Sequence, residues 1–482
     1  MRMHTIVFIV VVMAAGLSCS RGELPLQPAG VPPWPEWAFS HWVWYDDPED
    51  CPKEPPGQTT QECYIQLVDD YLKRDIPVGA IIIDSPWETG YNTFDIDTSR
   101  FFPDPAAMIK WFHDRDVRVI MWITSMVNVD TTVEQALHAE GEANNFFMTA
   151  GEGMSPAILE WWKGNGSLID YFNPEAVAWW HSKVDKTLAL GIDGWKCDGA
   201  EYNLSLLDPY SPYLKKNVKR VEYSHAYYGD FFNYTREKLG NDRIITARPV
   251  DTYGADPSDL SDDMIRKLVS FAPREINWAG WVGDQDATFE GMRKALVNLY
   301  HSSRLGYIAF GSDIGGYREN DDAPFGLKRT KELFIRWAQL GAMCPVMENG
   351  GGGEHRPWIF DENYGGTETT DIYRTFVKLH YALIPYLMSE GARAFTESVS
   401  LMRFVDSKDF QYFLGRDMFV APILTEGGSV KISFPKGHYW VYLFDRSKVY
   451  KGGTTQTLEF PLSEFPVFLR KGSIIESTLK VP

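Results

Sequence analysis

Gly191-Ile192-Asp193-Gly194-Trp195-Lys196-Cys197-Asp198-Gly199-Ala200-Glu201 is the stretch from which the fold is read. A short apolar run ends on Asp198, and two small residues follow it. The pattern predicts a strand whose C-terminal tip carries one carboxylate, where the backbone turns sharply and a ligand can come close. Lys196 lies two residues earlier and so faces the same side of the strand. A cation beside an acid favours its ionised form, and an ionised carboxylate at a strand tip suits a nucleophile. A structural Lys–Asp pair at a strand end explains the same stretch equally well, so the surrounding chain has to decide.

On either side, apolar strand-like runs alternate with helical patterns. The predicted strands are 38–44, 78–84, 117–123, 192–198, 243–249, 276–282, 307–313 and 344–348. Helical patterns lie between most of them, at 105–114, 174–190, 227–239, 289–303 and 328–340, with an amphipathic run at 62–74 ahead of the second strand. Eight strands alternating with helices predict a (β/α)8 barrel. An open doubly wound sheet is the alternative, but no Gly-rich phosphate loop follows any strand. In a barrel the chemistry belongs at the C-terminal strand ends, and polar residues collect there. His41 and Asp46 border the first strand, Asp84 ends the second and Trp122 lies near the end of the third. Arg248, Asp284 and Asp313 mark the fifth to seventh, and Glu348 and Asn349 the eighth. One such residue is ordinary loop polarity, whereas one at nearly every strand end calls for a shared site.

A helical run at 371–388 closes the barrel region. From about residue 394 short alternating strands predict a small antiparallel β-sandwich domain through residue 482. The chain therefore divides into a signal peptide (1–20), a Pro-rich linker (21–35), a catalytic barrel (36–393) and a C-terminal β-domain (394–482). The signal is read from a weakly basic start, the apolar run Ile6 to Ala15 and small residues near a cut. That run is too short for a membrane span, and no other long apolar segment exists. Cys19 in Leu17-Ser18-Cys19-Ser20 loosely resembles a lipoprotein box, but Gly16 stands where that box usually has Leu, so a secreted protein without an anchor is expected. Five Cys are too few for a disulfide scaffold. Cys51 and Cys63 flank a Pro-rich loop and are candidates to pair. A net charge of −18 argues against nucleic acid as a partner. The 17 Trp are either core or stacking platforms for sugar rings.

Asp284, in Trp278-Ala279-Gly280-Trp281-Val282-Gly283-Asp284-Gln285, also follows an apolar strand. Two acids on strand tips two positions apart can face each other across a barrel mouth, as glycoside hydrolysis requires. Asp198, beside Lys196, is expected to stay ionised and attack. Asp284, among Trp278, Trp281 and Val282, is expected to be partly desolvated and to donate the proton. Retention of configuration needs the two carboxyl groups about 5–5.5 Å apart. Taken singly, Asp284 is a Gly-Asp turn, Asp84 a cap, Trp122 core and Arg248 a bridge between barrel acids. Taken together, all of them fall at one rim.

These motifs resemble glycoside hydrolase family 31. Lys196-Cys197-Asp198-Gly199-Ala200-Glu201 is similar to its nucleophile motif, and Trp281-Val282-Gly283-Asp284-Gln285 to its acid/base motif. Phe310-Gly311-Ser312-Asp313-Ile314-Gly315-Gly316-Tyr317 is similar to its signature after the seventh strand. Asp170-Tyr171-Phe172-Asn173-Pro174-Glu175 and Phe101-Phe102-Pro103-Asp104-Pro105 match further stretches in the same order. The resemblance implies a retaining exo-α-glycosidase acting on oligosaccharides or glycosides, with no metal or cofactor. It makes Asp198 the nucleophile and Asp284 the acid/base, and it lines the sugar site with Asp84, Trp122, Lys196, Arg248, Trp281, Asp313 and His355. α-Glucosidase is the expected activity; α-galactosidase, α-xylosidase and a non-catalytic sugar-binding protein are the alternatives. Two departures stand out. The family's usual N-terminal β-sandwich has no counterpart in the sequence. After the eighth strand the common α-glucosidase pattern places a His close behind an Arg, whereas here the sequence reads Met347-Glu348-Asn349-Gly350-Gly351-Gly352-Gly353-Glu354-His355. Either His355 reaches the site from a longer loop or Asn349 replaces it.

Overall fold

The computed structural model describes residues 32–49, 51–199, 208–252, 261 and 272–482. The expected signal peptide, Cys19, most of the linker and the Ala200-Glu201 end of the opening motif lie outside them. Eight parallel strands form one sheet: β1 (His41–Tyr45), β2 (Ala80–Ile83), β3 (Arg118–Ile123), β4 (Gly194–Cys197), β5 (Ile244–Ala247), β6 (Asn277–Val282), β7 (Gly311–Ser312) and β8 (Met347–Asn349). The order runs β7-β6-β5-β4-β3-β2-β1-β8. A parallel bridge between Asp313 and Glu348 joins β7 to β8 and closes the barrel, with the Ile314 N–H donating to the Glu348 carbonyl at 3.0 Å.

The strands read as apolar runs because they are buried on both faces. Ala80-Ile81-Ile82-Ile83 is wholly buried, as is all of β6. The helices begin where the sequence supplies caps. Thr59 and Glu62 form a capping box at the start of Thr60–Lys73, and Asn173 followed by Pro174 starts Pro174–Leu188. Two expectations need correction. The first strand begins at His41, because Glu36–Phe39 is a 3-10 helix. His41 therefore opens β1 at the end away from the mouth, and its ring is spent on the Pro77 carbonyl and the Tyr373 hydroxyl, at 2.8 and 2.7 Å.

Between β3 and the helix Pro174–Leu188 the chain builds a small antiparallel sheet from Met126–Asn128, Leu159–Trp161 and Gly164–Leu168. The long helix Glu368–Thr396 leads to the C-terminal domain. There a six-stranded antiparallel sheet packs with a two-stranded one, Ser429–Ser433 against Thr455–Glu459. Arg336 and Gln339 on the barrel helix Lys331–Ala342 bind this domain. Arg336 donates to the carbonyls of Phe460, Pro461 and Glu464, and Gln339 to that of Leu462. Cys51 and Cys63 are joined in a disulfide. Among the described residues no helix is long and apolar enough to cross a membrane.

Candidate active site

Asp198 follows the last residue of β4, and its N–H donates to the Ile123 carbonyl of β3 at 2.8 Å. The next residue, Gly199, turns at φ +78°, and a Cβ there would stand 2.7 Å from a Thr124 methyl. Only glycine fits this turn, and the turn brings the Gly199 N–H onto Asp198 Oδ1 at 2.9 Å. Arg248 Nε donates to the same oxygen at 3.2 Å, and Trp122 Nε1 donates to Oδ2 at 3.2 Å. Burial opposes the Asp198 charge. Arg248, then Lys196, and these hydrogen bonds outweigh it and hold the carboxyl below its ordinary range.

Asp284 lies two residues past β6 with φ +64°, a left-handed conformation that costs a non-glycine residue about 1–3 kcal/mol. Its side chain is 23% exposed at the mouth, against 11% for Asp198. Arg248 Nη2 contacts both its oxygens, at 3.3 and 3.4 Å. One guanidinium, 4.7 Å from the Trp281 ring centroid, therefore touches both acids. Its Nη1 is held by Asp251, which also accepts from the Gly283 N–H at 3.1 Å and from Asn298 at 3.2 Å.

Lys196 stands in the middle of the barrel top. Its Nζ donates to Asp84 Oδ2 at 2.8 Å and lies 3.7 Å from the Trp44 ring centroid. Burial disfavours this ammonium, but Asp84, Glu348, Asp313 and Asp198 together raise its pKa above the usual lysine value. Its direct partner is Asp84, so the expectation that Lys196 chiefly sustains Asp198 is corrected: Arg248 contributes more. Asp84 also accepts from the Ser85 N–H at 2.8 Å. Asp313, 1% exposed, has its pKa pushed well up by burial and then by Glu348.

Asp84, Trp122, Lys196, Arg248, Trp281 and Asp313 thus gather with Asp198 and Asp284 on one mouth. His355 does not join them. Its buried ring lies against the loop backbone, and burial and the Arg329 cation hold it neutral. Asn349 faces outward, donating to the Tyr71 hydroxyl at 2.8 Å and the His355 carbonyl at 2.9 Å, so it does not replace a sugar-binding His either. Sequence reasoning missed Asp251, Trp44 and Trp161. Trp161 stacks on Trp122 with 5° between the planes and donates to Asn128 at 2.8 Å. The Trp161-Trp162 pair beside Gly164-Asn165-Gly166 was the available signal. Asp46, noted only as bordering β1, has its pKa pushed up to about 7 by burial and by Asp84, against a hydrogen bond from Tyr317.

Fold and site define a parallel barrel with two carboxylates set on one guanidinium at its C-terminal mouth. The "Glycosyl hydrolases family 31 TIM-barrel domain" matches residues 32–390, and the "Glycosyl hydrolase family 31 C-terminal domain" matches residues 396–475. The chain belongs to glycosyl hydrolase family 31, whose members act on O-glycosyl bonds. The alpha-xylosidase of Emericella nidulans is 24% identical over 439 residues, 86% of this chain and 51% of that protein. Alpha-glucosidase 2 of Bacillus thermoamyloliquefaciens is 24% identical over 447 residues, 87% of this chain and 51% of that protein. The chain thus spans about half the length of the curated relatives it matches. A GH31 alpha-xylosidase from a soil metagenome, solved with xylose, superposes with a TM-score of 0.74 at 22% identity, covering 93% of this chain and 65% of that one. It supports the fold.

Proposed function

We propose that the protein is a retaining exo-α-glycosidase that releases terminal sugars from the non-reducing ends of α-linked glycosides, with an α-glucoside as its substrate. The observation that carries this reading is the placement of Asp198 and Asp284 side by side on Nε and Nη2 of the one Arg248 guanidinium at the barrel mouth. Asp198 Oδ2, with Trp122 as its donor, attacks the anomeric carbon. The glycosidic C–O bond breaks as Asp284 passes its proton to the departing oxygen, leaving a glycosyl ester on Asp198. Water then enters at the exposed Asp284, which takes its proton. The resulting hydroxide equivalent displaces Asp198 and restores both carboxyl groups. Trp122, Lys196, Asp84 and Asp313 supply the stacking face and hydrogen-bonding groups for the ring.

A panel of 4-nitrophenyl α-glycosides tests the activity and the sugar together. Release from the α-glucoside, with the α-anomer as first product by NMR, is expected. Faster release from the α-xyloside or α-galactoside replaces the sugar but keeps the mechanism, and silence on every member contradicts the reading. An extracytoplasmic location fits the Cys51–Cys63 disulfide. It predicts a mature N terminus near residue 20, checked by intact mass of the exported protein.

A further inference from the structure

Glu348 is a buried acid for which the reaction above has no use. It lies in β8 at 1% exposure, paired with Trp42 of β1 and bridged to Asp313, the residue after β7. Directly paired residues point to the same face of a sheet, here into the barrel toward Lys196 and Asp84. Neither carboxyl oxygen of Glu348 has a hydrogen-bond partner, and Oδ1 of Asp313 has none. A buried carboxyl without partners is costly, and such a group calls for something that completes it. Burial and Asp84 push the Glu348 pKa up to about 7, against Lys196 and Arg248. With Asp313 raised as well, the pair offers both acceptor oxygens and an acidic proton.

The position of the pair selects the ligand. Asp198 and Asp284 are more exposed than Glu348, so they stand nearer the mouth. In an exo reaction the leaving group stays on the solvent side and the non-reducing end enters first, so a sugar attacked by Asp198 would carry its C4 side, opposite the anomeric carbon, toward the floor. Two residues on, Gly350 puts no side chain in the way, and Trp44 fills the space where its Cβ would stand, 2.3 Å from the ring. Among the described residues no group of three or more His, Cys, Asp or Glu is arranged to hold a metal ion.

We propose that Glu348, with Asp313 beside it, is a specificity-determining residue that reads the C4 and C6 hydroxyls of a neutral terminal sugar and rejects an anionic group there. This rests on the exo-glycosidase reading. A hydroxyl both donates and accepts, complementing a carboxyl pair. A carboxylate or sulfonate offers acceptors but no donor, and adds a charge to a floor where the Lys196 ammonium already faces Asp84, Glu348 and Asp313.

The test compares kcat/KM of the wild type and Glu348→Gln on 4-nitrophenyl α-glucoside, its 4-deoxy and 6-deoxy analogues, and the α-glucuronide. Glu348→Gln should lower kcat/KM on the parent about tenfold or more, mainly through KM. It should lower it less than about twofold on the analogue lacking the hydroxyl that Glu348 contacts. Wild type should leave the glucuronide untouched. An equal loss on all three neutral substrates, no loss on any, or turnover of the glucuronide matching the glucoside overturns the proposal. Wild-type turnover of the neutral glycosides separately tests the exo-glycosidase reading, and silence on all of them overturns both. Should Glu348→Gln fail to fold, Asp313→Asn carries the same series.

Discussion

Asp198 and Asp284 share a cation yet differ in setting, and the difference assigns their work. Asp198 takes Arg248, Trp122 and the Gly199 N–H on its two oxygens, while among the described residues Asp284 takes Arg248 Nη2 and is the more exposed of the two. Asp198→Asn should lower kcat on the order of a thousandfold or more for every leaving group. Asp284→Asn should spare nitrophenyl glycosides relative to unactivated disaccharides, because a good leaving group needs no proton. Steady-state rates on both substrate types check this, and equal losses on both would remove the acid role from Asp284. Lys196→Met leaves Asp84 buried without its ammonium, a change that costs about 3–5 kcal/mol. Denaturant unfolding should show that loss. The acids were legible because each ends an apolar run. Asp251 was not, since its work is to hold Arg248 and the Gly283 N–H, partners distant in sequence.

The eight barrel strands were legible for the same reason they are stable: strands buried on both faces are apolar at every position. The sheet after β3 was not, because its strands are three to five residues long and rich in Gly, Asn and Glu. In the C-terminal domain Met402–Phe404, Val449–Lys451 and Val467–Arg470 escaped notice for similar shortness. The loop after β8 defeated sequence reasoning differently. Gly350 to Gly353 carry no side chains to show which way the chain turns, so the sequence left His355 and Asn349 as alternatives; the structure sets the His355 ring against the backbone of Gly352 and Ile314. The loop's path is set by Arg329, buried at 0% exposure, which donates to the carbonyls of Gly315, Gly316, Gly352 and Glu354. Arg329→Met should strand those carbonyls and loosen the loops after β7 and β8 together. Hydrogen exchange should rise in both segments, and a rise in one alone would break the proposed coupling.

Across the whole molecule, the crowding of acids in the mouth links stability to pH. Glu348 titrates near its ordinary 4.5 when unfolded and at about 7 when folded, and Asp46 moves from 3.8 to about 7. Between those values the folded chain holds protons that the unfolded chain has lost. This contribution to stability is therefore intact below about pH 4 and lost progressively as pH rises to about 7. Glu348→Gln should melt higher than wild type at pH 8, with the gap closing toward pH 4. A gap independent of pH would show that Glu348 is not carrying the linkage. The same crowding is why the acid ring was visible as a pattern in the sequence while its internal pairing was not. Lys196 and Asp198 are neighbours in sequence, but burial and register give Lys196 to Asp84, and Asp198 to Arg248.

The central claim is that Asp198 is the nucleophile of a retaining glycosidase, and covalent trapping tests it most directly. The protein is incubated with 5-fluoro-α-D-glucosyl fluoride, quenched, digested and mapped by mass spectrometry. The account predicts one added 5-fluoroglucosyl group, carried by the peptide containing Asp198. A label on Asp284 or Glu348, or full inactivation with no covalent adduct, would contradict it.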